Sequence, residues 1–328
     1  MIDISIIIVS YNTKRLLANC LKSIFNTNSN LSIEVILVDN GSTDDSLDMV
    51  RLDYPAVRII ANQENLGFTH ANNQGIRIAN GNNILLLNSD TVLTPGALNT
   101  LLLDLHSIPE LGLVGPRLVN GDGTVQPSVG EFIGLGLTFV FQFYLFKFLP
   151  VNFPLGDRIK PFQYKQYQHS HNVDWLSGAC LLVRREVVDK AGMLDEDLFM
   201  YGEDMEWCWQ IRQAGYKTRY CVDATVIHLS RQSSRKNYRR WISNYTFGNL
   251  RFIQRHRSRL SFRLCGLITT LGSILRILLS FIISILFYER KDECNQRISG
   301  YINALHMGWW VFTKGKMPLS NERGLMAN

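Results

Sequence analysis

Four short apolar runs, each followed by a segment of helical periodicity, most constrain the fold of this chain. They are rich in Ile, Val and Leu and cover residues 4–9, 33–38, 57–60 and 84–87. Runs of this length are typical of strands buried on both faces of a parallel sheet. We expect Thr13 to cap the first helix and Pro95 to open the fourth. The repeated βα units predict an α/β fold with right-handed crossovers.

Polar side chains follow three of these runs. They are Ser10, Tyr11 and Asn12 after the first run, Asp39 and Asn40 after the second, and Asn88, Ser89 and Asp90 after the fourth. Open α/β sheets bind ligands at the carboxyl ends of their strands, so Asp39 and Asp90 predict a ligand crevice. The alternative is that Asp39 and Ser42 only cap the following helix. The first run has no G-x-G-x-x-G or Walker A loop after it, which disfavours dinucleotide redox and P-loop chemistry.

The second half of the chain departs from this regular alternation. The expected elements are a hairpin around residues 120–123, a strand leading into a short helix over 175–188, and a pair of short strands over 217–228. A helix is expected to begin near Glu203 and to end at about Ala214, because Gly215 follows.

Three side chains in this half are candidates for chemistry. Glu203 and Asp204 stand at a helix start, where acids are also favoured for electrostatic reasons alone. His228 ends a strand, and an isolated histidine is more often structural than functional. An oxygen of Asp90 and a nitrogen of His228 could hold one divalent ion. Their spacing in the sequence does not show that they meet in space.

Composition and charge narrow the class of partner. The 328-residue chain is 46% hydrophobic, which suits one large domain or two smaller ones. Its net charge is +6, and the basic residues concentrate between Arg231 and Arg263, where no acid occurs. Such a block attracts an anionic membrane or a nucleic acid. The six cysteines show no C-x-x-C spacing, and the N-terminus does not resemble a signal peptide, so we expect reduced thiols in the cytosol.

Two apolar segments suggest a membrane surface. Residues 132–149 form an insert crowded with aromatics, which indicates a membrane-interface or acceptor-facing segment, or else a core helix. Residues 264–287 predict a long apolar helix, which needs roughly 20 apolar residues to span a bilayer. One face carries the polar residues Thr269, Ser273, Arg276, Ser280 and Ser284. An arginine near the bilayer centre costs roughly 3 kcal/mol. We therefore expect in-plane docking, with a span or a core or dimer helix as alternatives.

Seven motifs, in order, resemble those of inverting family-2 glycosyltransferases with the GT-A fold. They are SIIIVSYNT, VDNGSTDDS, ENLGF, LLLNSD, WLSGACLLVRR, FMYGEDMEWCWQ and IHLSRQSS, spread over roughly residues 4–234. The chain is similar in particular to bacterial rhamnosyltransferase-like enzymes that build surface polysaccharides such as O-antigen and cell-wall glycans. The resemblance implies a GT-A domain over residues 1–235, with a Rossmann-like, mostly parallel central sheet flanked by helices. A helical membrane-associating or oligomerisation region would occupy residues 236–328.

The resemblance also implies a role for each matching residue. The catalytic base would be Asp204. The other assignments are metal ligands at Asp90 and His228; sugar or acceptor contacts at Trp175, Gly178 and Glu203; and nucleotide-sugar contacts at Ser10, Tyr11, Asn12, Asp39, Asn40, Gly67, Asn88, Ser89 and Asp90.

One position departs from the family pattern. Asn88 stands where the metal-binding D-x-D motif has its first acid. An amide can bond a ribose hydroxyl but ligates a metal weakly, so Asp90 and His228 would carry the ion nearly alone. Diphosphate oxygens and waters would complete the shell of Mg²⁺ or Mn²⁺, and the imidazole slightly favours Mn²⁺.

The resemblance implies transfer of one rhamnose-like or other hexose from a dTDP- or UDP-linked donor. The acceptor would be a hydroxyl of a polyprenyl-diphosphate-linked glycan, and a metal-assisted single displacement would invert the anomeric carbon. The expected location is the cytoplasmic face of the bacterial inner membrane, on an anionic surface. A homo-oligomer is compatible with this reading, and no nucleic-acid partner is expected.

Two other classes remain open. Asn237, Arg240 and Trp241 form N-x-x-R-W, one residue away from the Q-x-x-R-W of processive polysaccharide synthases. The sequence lacks the several spanning helices that a translocation channel needs. A non-enzymatic protein could instead use the basic block to bind membrane or nucleic acid, although no helix-turn-helix, RNA-binding or zinc signature accompanies that block.

Overall fold

A computed structural model of the chain describes residues 2–26, 30–147, 164–229 and 238–318. The chain divides into two compact units. The first comprises Met1–Phe132, Pro161–Phe199 and Glu203–Ser230, and the second comprises Ile133–Lys160, Met200–Gly202 and Arg231–Asn328. Several predicted features lie outside the described residues, namely the domain boundary at residue 235, the end of the last motif over 230–234, Asn237, and residues 148 and 149 of the insert. The division at residue 235 stays a prediction.

The first unit begins with the predicted βα repeats. The strands are β1 (Ile4–Ser10), β2 (Ile33–Asp39), β3 (Arg58–Ala61) and β4 (Asn83–Asn88). The helices between them are α1 (Lys14–Phe25), α2 (Ser46–Asp53) and α3 (Phe68–Ile78). The strands pair in parallel in the order β3–β2–β1–β4. Both faces of this sheet are covered, because residues that point to opposite faces, such as Ile6 and Ile7, are both buried, as is Leu86. This explains why the apolar runs are continuous.

Seven more strands follow in the described residues, of which five complete a mixed sheet and two form a separate antiparallel pair. They are β5 (Thr91–Leu93), β6 (Leu111–Val119), β7 (Val129–Gly130), β8 (His171–Val173), β9 (Trp175–Leu176), β10 (Cys180–Arg184) and β11 (Lys217–His228). The helices over this stretch of the chain are α4 (Ala97–Leu105), α5 (Leu135–Gln142), α6 (Arg185–Ala191) and α7 (Glu203–Gln213), of which α5 belongs to the second unit. Within the described residues the main sheet has nine strands in the order β3–β2–β1–β4–β10–β6–β11–β5, with β8 beside β11. Strand β10 runs antiparallel to both neighbours, whereas β6 and β11 are parallel.

Two secondary-structure predictions in this unit are wrong. Pro95 lies in the turn before α4 and does not open it, because this helix begins at Ala97 with Gly96 at its cap position. The other wrong prediction concerns β11. Residues 217–228 form a single strand, and not a pair of short strands. The pairing of β11 with β6 shifts between Cys221 and Thr225, so a bulge absorbs the residues that we expected to turn. The exposed Asp223 interrupts the apolar alternation inside the strand, and this is why the sequence favoured a break there.

Three long helices dominate the second unit. They are α8 (Tyr238–His256), α9 (Arg259–Leu286) and α10 (Lys291–Lys314). The Ser258 side chain caps α9 by accepting the N–H of Ser261 at 3.2 Å. Helices α9 and α10 pass so closely that a Cβ added to Gly266 would lie 2.7 Å from the carbonyl oxygen of Gly308. Among the helices of the described ranges, α9 is the one whose length and apolar content would allow a membrane crossing.

Candidate active site

Three strand ends meet at one edge of the sheet in the first unit. The parallel register pairs Ser10 with Asp39, and it pairs Val9 with Asn88. Because parallel strands end at the same edge, the residues that follow β1, β2 and β4 lie side by side. The structure therefore brings together candidate nucleotide contacts from three separate parts of the chain.

Asp90 and His228 meet in space. The Oδ1 atom of Asp90 lies 3.2 Å from Nε2 of His228. Strand pairing produces this contact, since His228 pairs with Thr91 and the N–H of Leu229 donates to the carbonyl oxygen of Asp90 at 2.9 Å. The two side chains thus have the proximity that a shared ion requires.

Gln126 fixes the orientation of this imidazole. Its Nε2 donates to the carbonyl oxygen of His228 at 2.6 Å and to Oδ1 of Asn120 at 2.7 Å. Its Oε1 therefore faces Nδ1 of His228, at 3.0 Å. Both ring nitrogens face an oxygen acceptor, whereas a neutral imidazole carries one N–H. The second nitrogen can face its oxygen favourably only if a proton or a cation lies between them. No pattern in the sequence predicted this role of Gln126.

This donor set suits a divalent cation whose shell is completed by phosphate oxygens. In the part of the chain that the structure describes, no three His, Cys, Asp or Glu side chains form a ligand cluster. Asp90 and His228 supply one oxygen and one nitrogen, and Mg²⁺ is commonly held by one or two protein groups plus substrate phosphates. Two residues before Asp90, the buried Oδ1 of Asn88 has no hydrogen-bond partner. That oxygen is available to a ligand hydroxyl.

Asp39 is a fully buried carboxyl with one unsatisfied oxygen. Its Oδ2 accepts the N–H of Ser42 at 2.9 Å, whereas its Oδ1 has no hydrogen-bond partner. Buried polar atoms are seldom left unpaired, so this oxygen indicates a ligand donor. The capping alternative is wrong, because α2 begins at Ser46 and its cap position is Asp45.

A chain of hydroxyl groups joins the ends of β1 and β4. The Ser10 Oγ lies 2.9 Å from Oγ1 of Thr13, which donates to Oγ of Ser89 at 3.0 Å. Thr13 precedes α1 as predicted, but its side chain makes no capping bond to the helix. The predicted cap position is confirmed, but the hydroxyl makes no capping bond because it instead links two predicted site residues across the sheet edge.

The loop after β1 presents an open aromatic ring. Asn12 adopts a left-handed backbone conformation, with φ of 52°, and its Oδ1 accepts the N–H of Thr43 at 2.8 Å. The backbone N–H of Asn12 donates to Oγ of Ser42 at 2.9 Å. Tyr11, held between these anchored neighbours, is 48% exposed. Its ring face is therefore accessible to a flat ligand such as a nucleobase.

Asn40 and Gly67 shape the loop opposite Asp39. The Asn40 Nδ2 donates to Oδ1 of Asn65 at 3.0 Å and to the carbonyl oxygen of Gly67 at 3.2 Å. Its Oδ1 accepts the N–H of Leu66 at 3.2 Å. Gly67 has φ of 93°, and a Cβ there would meet Phe199 at 2.7 Å. Both side-chain polar atoms of Asn40 are thus engaged within the protein.

Asp204 lies in the first turn of α7 and is linked to the end of β4. Its Oδ2 accepts the N–H of Gly178 at 3.2 Å, and its Oδ1 accepts the N–H of Met205 at 2.8 Å. The neighbouring Ala179 accepts the N–H of Asn88 at 3.0 Å, which ties this segment to the sheet edge. Burial raises the pKa of Asp204 above the ordinary carboxyl range, despite the two backbone donors that oppose the shift. Dipole complementation alone would lower a carboxyl pKa, so the raised pKa comes from burial, and Asp204 stays a candidate for the catalytic base.

The remaining predicted contacts flank Asp204. Glu203 is buried at the same helix start. Trp175 lies in β9, which pairs with β7, and its Nε1 donates to the carbonyl oxygen of Glu131 at 3.0 Å. Its indole covers Gly130, where a Cβ would lie 2.4 Å from the ring. The ring is therefore fixed in one orientation by its own strand pair.

Hydrogen bonds join α3 to residues 194–199, and the sequence did not predict them. Asn73 donates to the carbonyl oxygen of Leu194 at 2.8 Å and accepts the N–H of Leu194 at 3.1 Å. Further along, Thr69 donates to the carbonyl oxygen of Leu198 at 2.5 Å. These bonds hold the segment that leads to Asp204. Polar residues such as Asn73 inside a helix were the available signal, but they resemble surface positions until the facing segment is known.

Two solved glycosyltransferase structures share the fold of this chain. The mannosyltransferase PcManGT from Pyrobaculum calidifontis, solved with GDP-Man and Mn²⁺, aligns with a TM-score of 0.57 and 17% identity, over 94% of this chain and 87% of that chain. GalNAc-T7, solved with UDP, GalNAc and Mn²⁺, aligns with a TM-score of 0.55 and 18% identity, over 77% of this chain and 48% of that chain. At these identities the likeness establishes the fold, which is the GT-A fold predicted from the sequence.

The chain belongs to glycosyl transferase family 2, whose sequence profile matches residues 5–192. It is 30% identical over 217 residues to an N-acetylglucosaminyl-diphospho-decaprenol L-rhamnosyltransferase of Mycobacterium tuberculosis, covering 62% of this chain and 68% of that protein. It is 26% identical to a low-salt glycan biosynthesis hexosyltransferase of Haloferax volcanii, covering 69% and 67% respectively. The predicted membership in family 2, with its rhamnosyltransferase-like character, is confirmed.

Proposed function

We propose that this glycosyltransferase moves one hexose from a nucleoside-diphosphate donor to a hydroxyl of a lipid-linked glycan, with inversion at the anomeric carbon. The contact of 3.2 Å between Asp90 and His228 carries the proposal. This contact supports an oxygen and a nitrogen ligand for one ion, at the sheet edge where open α/β folds bind their substrates. The name of the mycobacterial relative, an L-rhamnosyltransferase, supports a rhamnose-like sugar. That the donor is dTDP- or UDP-linked stays a prediction.

The nucleoside is bound at the ends of β1, β2 and β4. The unsatisfied Oδ1 of Asp39 accepts an N–H of the base or a ribose hydroxyl. The exposed ring of Tyr11 stacks on the base. The buried Oδ1 of Asn88 accepts a ribose hydroxyl. Together these contacts orient the donor with its diphosphate toward Asp90.

Asp90 and His228 would hold the divalent ion together with the diphosphate oxygens. When bound, this ion stabilises the negative charge of the departing nucleoside diphosphate. Gln126 keeps the imidazole in the required orientation, because its Oε1 accepts from Nδ1 and leaves Nε2 facing Asp90.

Asp204 accepts the proton of the attacking hydroxyl. The acceptor oxygen forms its bond to the anomeric carbon while the bond to the diphosphate breaks on the opposite face, so one displacement inverts that carbon. The raised pKa of Asp204 brings the carboxylate nearer to the pH at which a general base is effective. The N–H groups of Gly178 and Met205 fix the position of the carboxylate.

The acceptor is proposed to be a glycan on a polyprenyl diphosphate at the cytoplasmic face of the bacterial inner membrane. The activity in the name of the mycobacterial relative, transfer of rhamnose to N-acetylglucosaminyl-diphospho-decaprenol, supports this substrate class. The acid-free basic block from Arg231 to Arg263 supports an anionic membrane surface as partner. A homo-oligomer stays a prediction.

A donor panel with one defined acceptor tests this function. The purified chain is incubated with dTDP- and UDP-linked hexoses, Mg²⁺ or Mn²⁺, and a short-chain glycan-diphospho-prenol. We expect one sugar to be added per acceptor, with inverted anomeric configuration by NMR and no transfer after chelation. Addition of many sugars would instead indicate a processive synthase. Retained configuration or metal-independent transfer would contradict the mechanism.

A further inference from the structure

In helix α9 the polar face is buried and the apolar face is exposed, which is the reverse of a surface helix of a soluble protein. Its polar stripe lies on one face as predicted, but Thr269, Ser273 and Ser280 are at most 6% exposed. The opposite face is apolar and exposed. We call this the apolar face, and its members are Leu271, Ile274, Leu278, Phe281, Ile282 and Ile285. A contiguous exposed apolar surface of this kind marks a site of interaction.

The arginine of the polar stripe does not lie on the apolar face. The guanidinium of Arg276 lies over the rings of Tyr144 and Tyr301, at 4.6 and 5.5 Å from their centroids. It also donates to the carbonyl oxygen of Phe141 at 2.5 Å. Its charge is therefore satisfied within the second unit, and the cost of placing a charge in hydrocarbon does not apply to the apolar face.

We propose that the apolar face is a monotopic membrane-docking surface, with α9 lying in the plane of the bilayer among the lipid acyl chains. This proposal rests on the proposed function, because a polyprenyl-linked acceptor is held in that bilayer. It extends the sequence-based expectation of in-plane docking, because the structure shows what covers each face: the polar stripe packs against the protein, and the apolar face points outward.

Charge selects an anionic bilayer over a second copy of the chain. Seven arginines and no acid occur in the described residues 238–263, which lead into α9; they are Arg239, Arg240, Arg251, Arg255, Arg257, Arg259 and Arg263. Anionic headgroups complement this charge, whereas a second copy would bring an equal positive charge to the same interface.

The position of α10 favours docking over crossing. The contacts of Gly266 with Gly308 and of Arg276 with Tyr301 show that α9 and α10 run antiparallel, so the first half of α10 lies beside the second half of α9. That part of α10 carries Lys291, Asp292, Glu293 and Arg297, of which Glu293 and Arg297 form an ion pair at 2.6 Å. A spanning α9 would carry these charges into the hydrocarbon core.

Flotation with vesicles tests the surface. We expect the full chain to float with vesicles of phosphatidylcholine and phosphatidylglycerol. Leu278→Glu combined with Ile285→Glu should lower the bound fraction by roughly tenfold or more. The matched control, Leu52→Glu with Leu103→Glu, places the same charges on exposed leucines of the first unit and should float like the parent chain.

The result is read together with a thermal melt and sedimentation. If the double glutamate variant is unfolded, Leu278→Gln alone provides the same comparison. Unchanged flotation of the folded variant overturns the proposal. A parent chain that stays unbound and forms a dimer, which the variant dissociates, identifies a second copy as the occupant and also overturns it.

Cysteine labelling separates in-plane docking from crossing. All six native cysteines are buried, so Leu260→Cys and Tyr288→Cys, at the exposed ends of α9, report on each end. On sealed vesicles we expect an impermeant maleimide added outside to label both. Protection of one end until the vesicles are lysed would show a span and contradict the proposal.

A soluble reaction distinguishes this proposal from the proposed function. Transfer to a short-chain acceptor in the absence of vesicles should be the same for the parent chain and for Leu278→Glu with Ile285→Glu. If no transfer occurs in either protein while flotation behaves as expected, the proposed function fails and the docking surface stands. If the variant loses soluble transfer while remaining folded, the apolar face belongs to the acceptor site and the bilayer assignment fails.

Discussion

The Nε2 atom of His228 lies 3.2 Å from a carboxylate oxygen of Asp90, while its Nδ1 lies 3.0 Å from Oε1 of Gln126. An imidazole between two acceptors is stable when it is protonated or when a cation satisfies one nitrogen. This arrangement links the geometry of the sheet edge to divalent-ion chemistry. The orientation of His228 toward Asp90 also depends on Gln126, which contacts the other ring nitrogen.

Asp90→Ala should abolish metal-dependent donor binding. Of the two proposed metal ligands, Asp90 and His228, the substitution removes the one that supplies an oxygen. Calorimetry of nucleotide-sugar binding with and without Mn²⁺ measures the loss. Asp48→Ala, which removes an exposed carboxylate from α2, is the control. Donor affinity that still increases on adding metal would rule out Asp90 as a ligand.

Gln126→Leu should weaken metal binding by roughly 10- to 100-fold, because it removes the acceptor that orients His228. Gln126→Glu keeps an acceptor for Nδ1 of His228 but loses the two bonds that Nε2 donates, to the carbonyl oxygen of His228 and to Asn120, so it should recover only part of the affinity. Titration with Mn²⁺ in the presence of donor gives both values. Equal affinities for the two variants would mean that Gln126 acts only on the hairpin that carries it.

Asp39→Asn should weaken nucleotide binding by roughly 10- to 100-fold, since hydrogen bonds to charged groups contribute about 1.5–3 kcal/mol. The unsatisfied Oδ1 is the atom concerned. Binding of the free nucleoside diphosphate, measured by fluorescence or calorimetry, isolates this contact from catalysis. Asp53→Asn, on the exposed end of α2, should bind normally. Undiminished binding by Asp39→Asn would refute the role.

Asp204→Asn should keep donor affinity and reduce transfer by at least about 100-fold, because the amide cannot accept the proton. Burial raises the pKa of the carboxyl, so activity of the parent chain should fall with decreasing pH at higher values than an ordinary aspartate gives.

The same shift has a consequence for stability. A folded-state pKa raised above the unfolded value means that ionised Asp204 destabilises the folded chain, and this cost appears as pH rises through that interval. Asp204→Asn should therefore melt at or above the temperature of the parent chain at neutral pH. Retained turnover in a folded variant, or a lower melting temperature, would disagree with these assignments.

Asn73→Ala should lower kcat with little change in the KM for donor, because it frees the segment that leads to Asp204 from α3. Loss of the two buried hydrogen bonds should also cost about 1–3 kcal/mol of unfolding free energy. Arg77→Ala breaks a half-exposed ion pair with Glu196 and should cost less than about 1 kcal/mol, with normal kinetics. Equal effects on kcat and KM would make Asn73 a general structural residue.

The sequence by itself determined the central sheet and the family. Continuous apolar runs such as residues 84–87 form strands that are covered on both faces of the sheet. They could be predicted because such a run is a property of neighbouring residues in the sequence alone. The motif order and the strand-end residues Asp39 and Asp90 were also visible there. The exception in the sheet was β11, where a bulge carries an exposed Asp223 within one strand.

Only the tertiary structure decided which side chains meet and which way helix faces point. The contacts of Asp90 with His228, of Asn73 with Leu194, and of Arg276 with two tyrosines join residues far apart in sequence. Local periodicity placed the polar stripe of α9 on one face, but the same pattern suits burial or exposure. The direction was fixed by what packs against the helix, which buries the polar stripe and leaves the apolar face exposed.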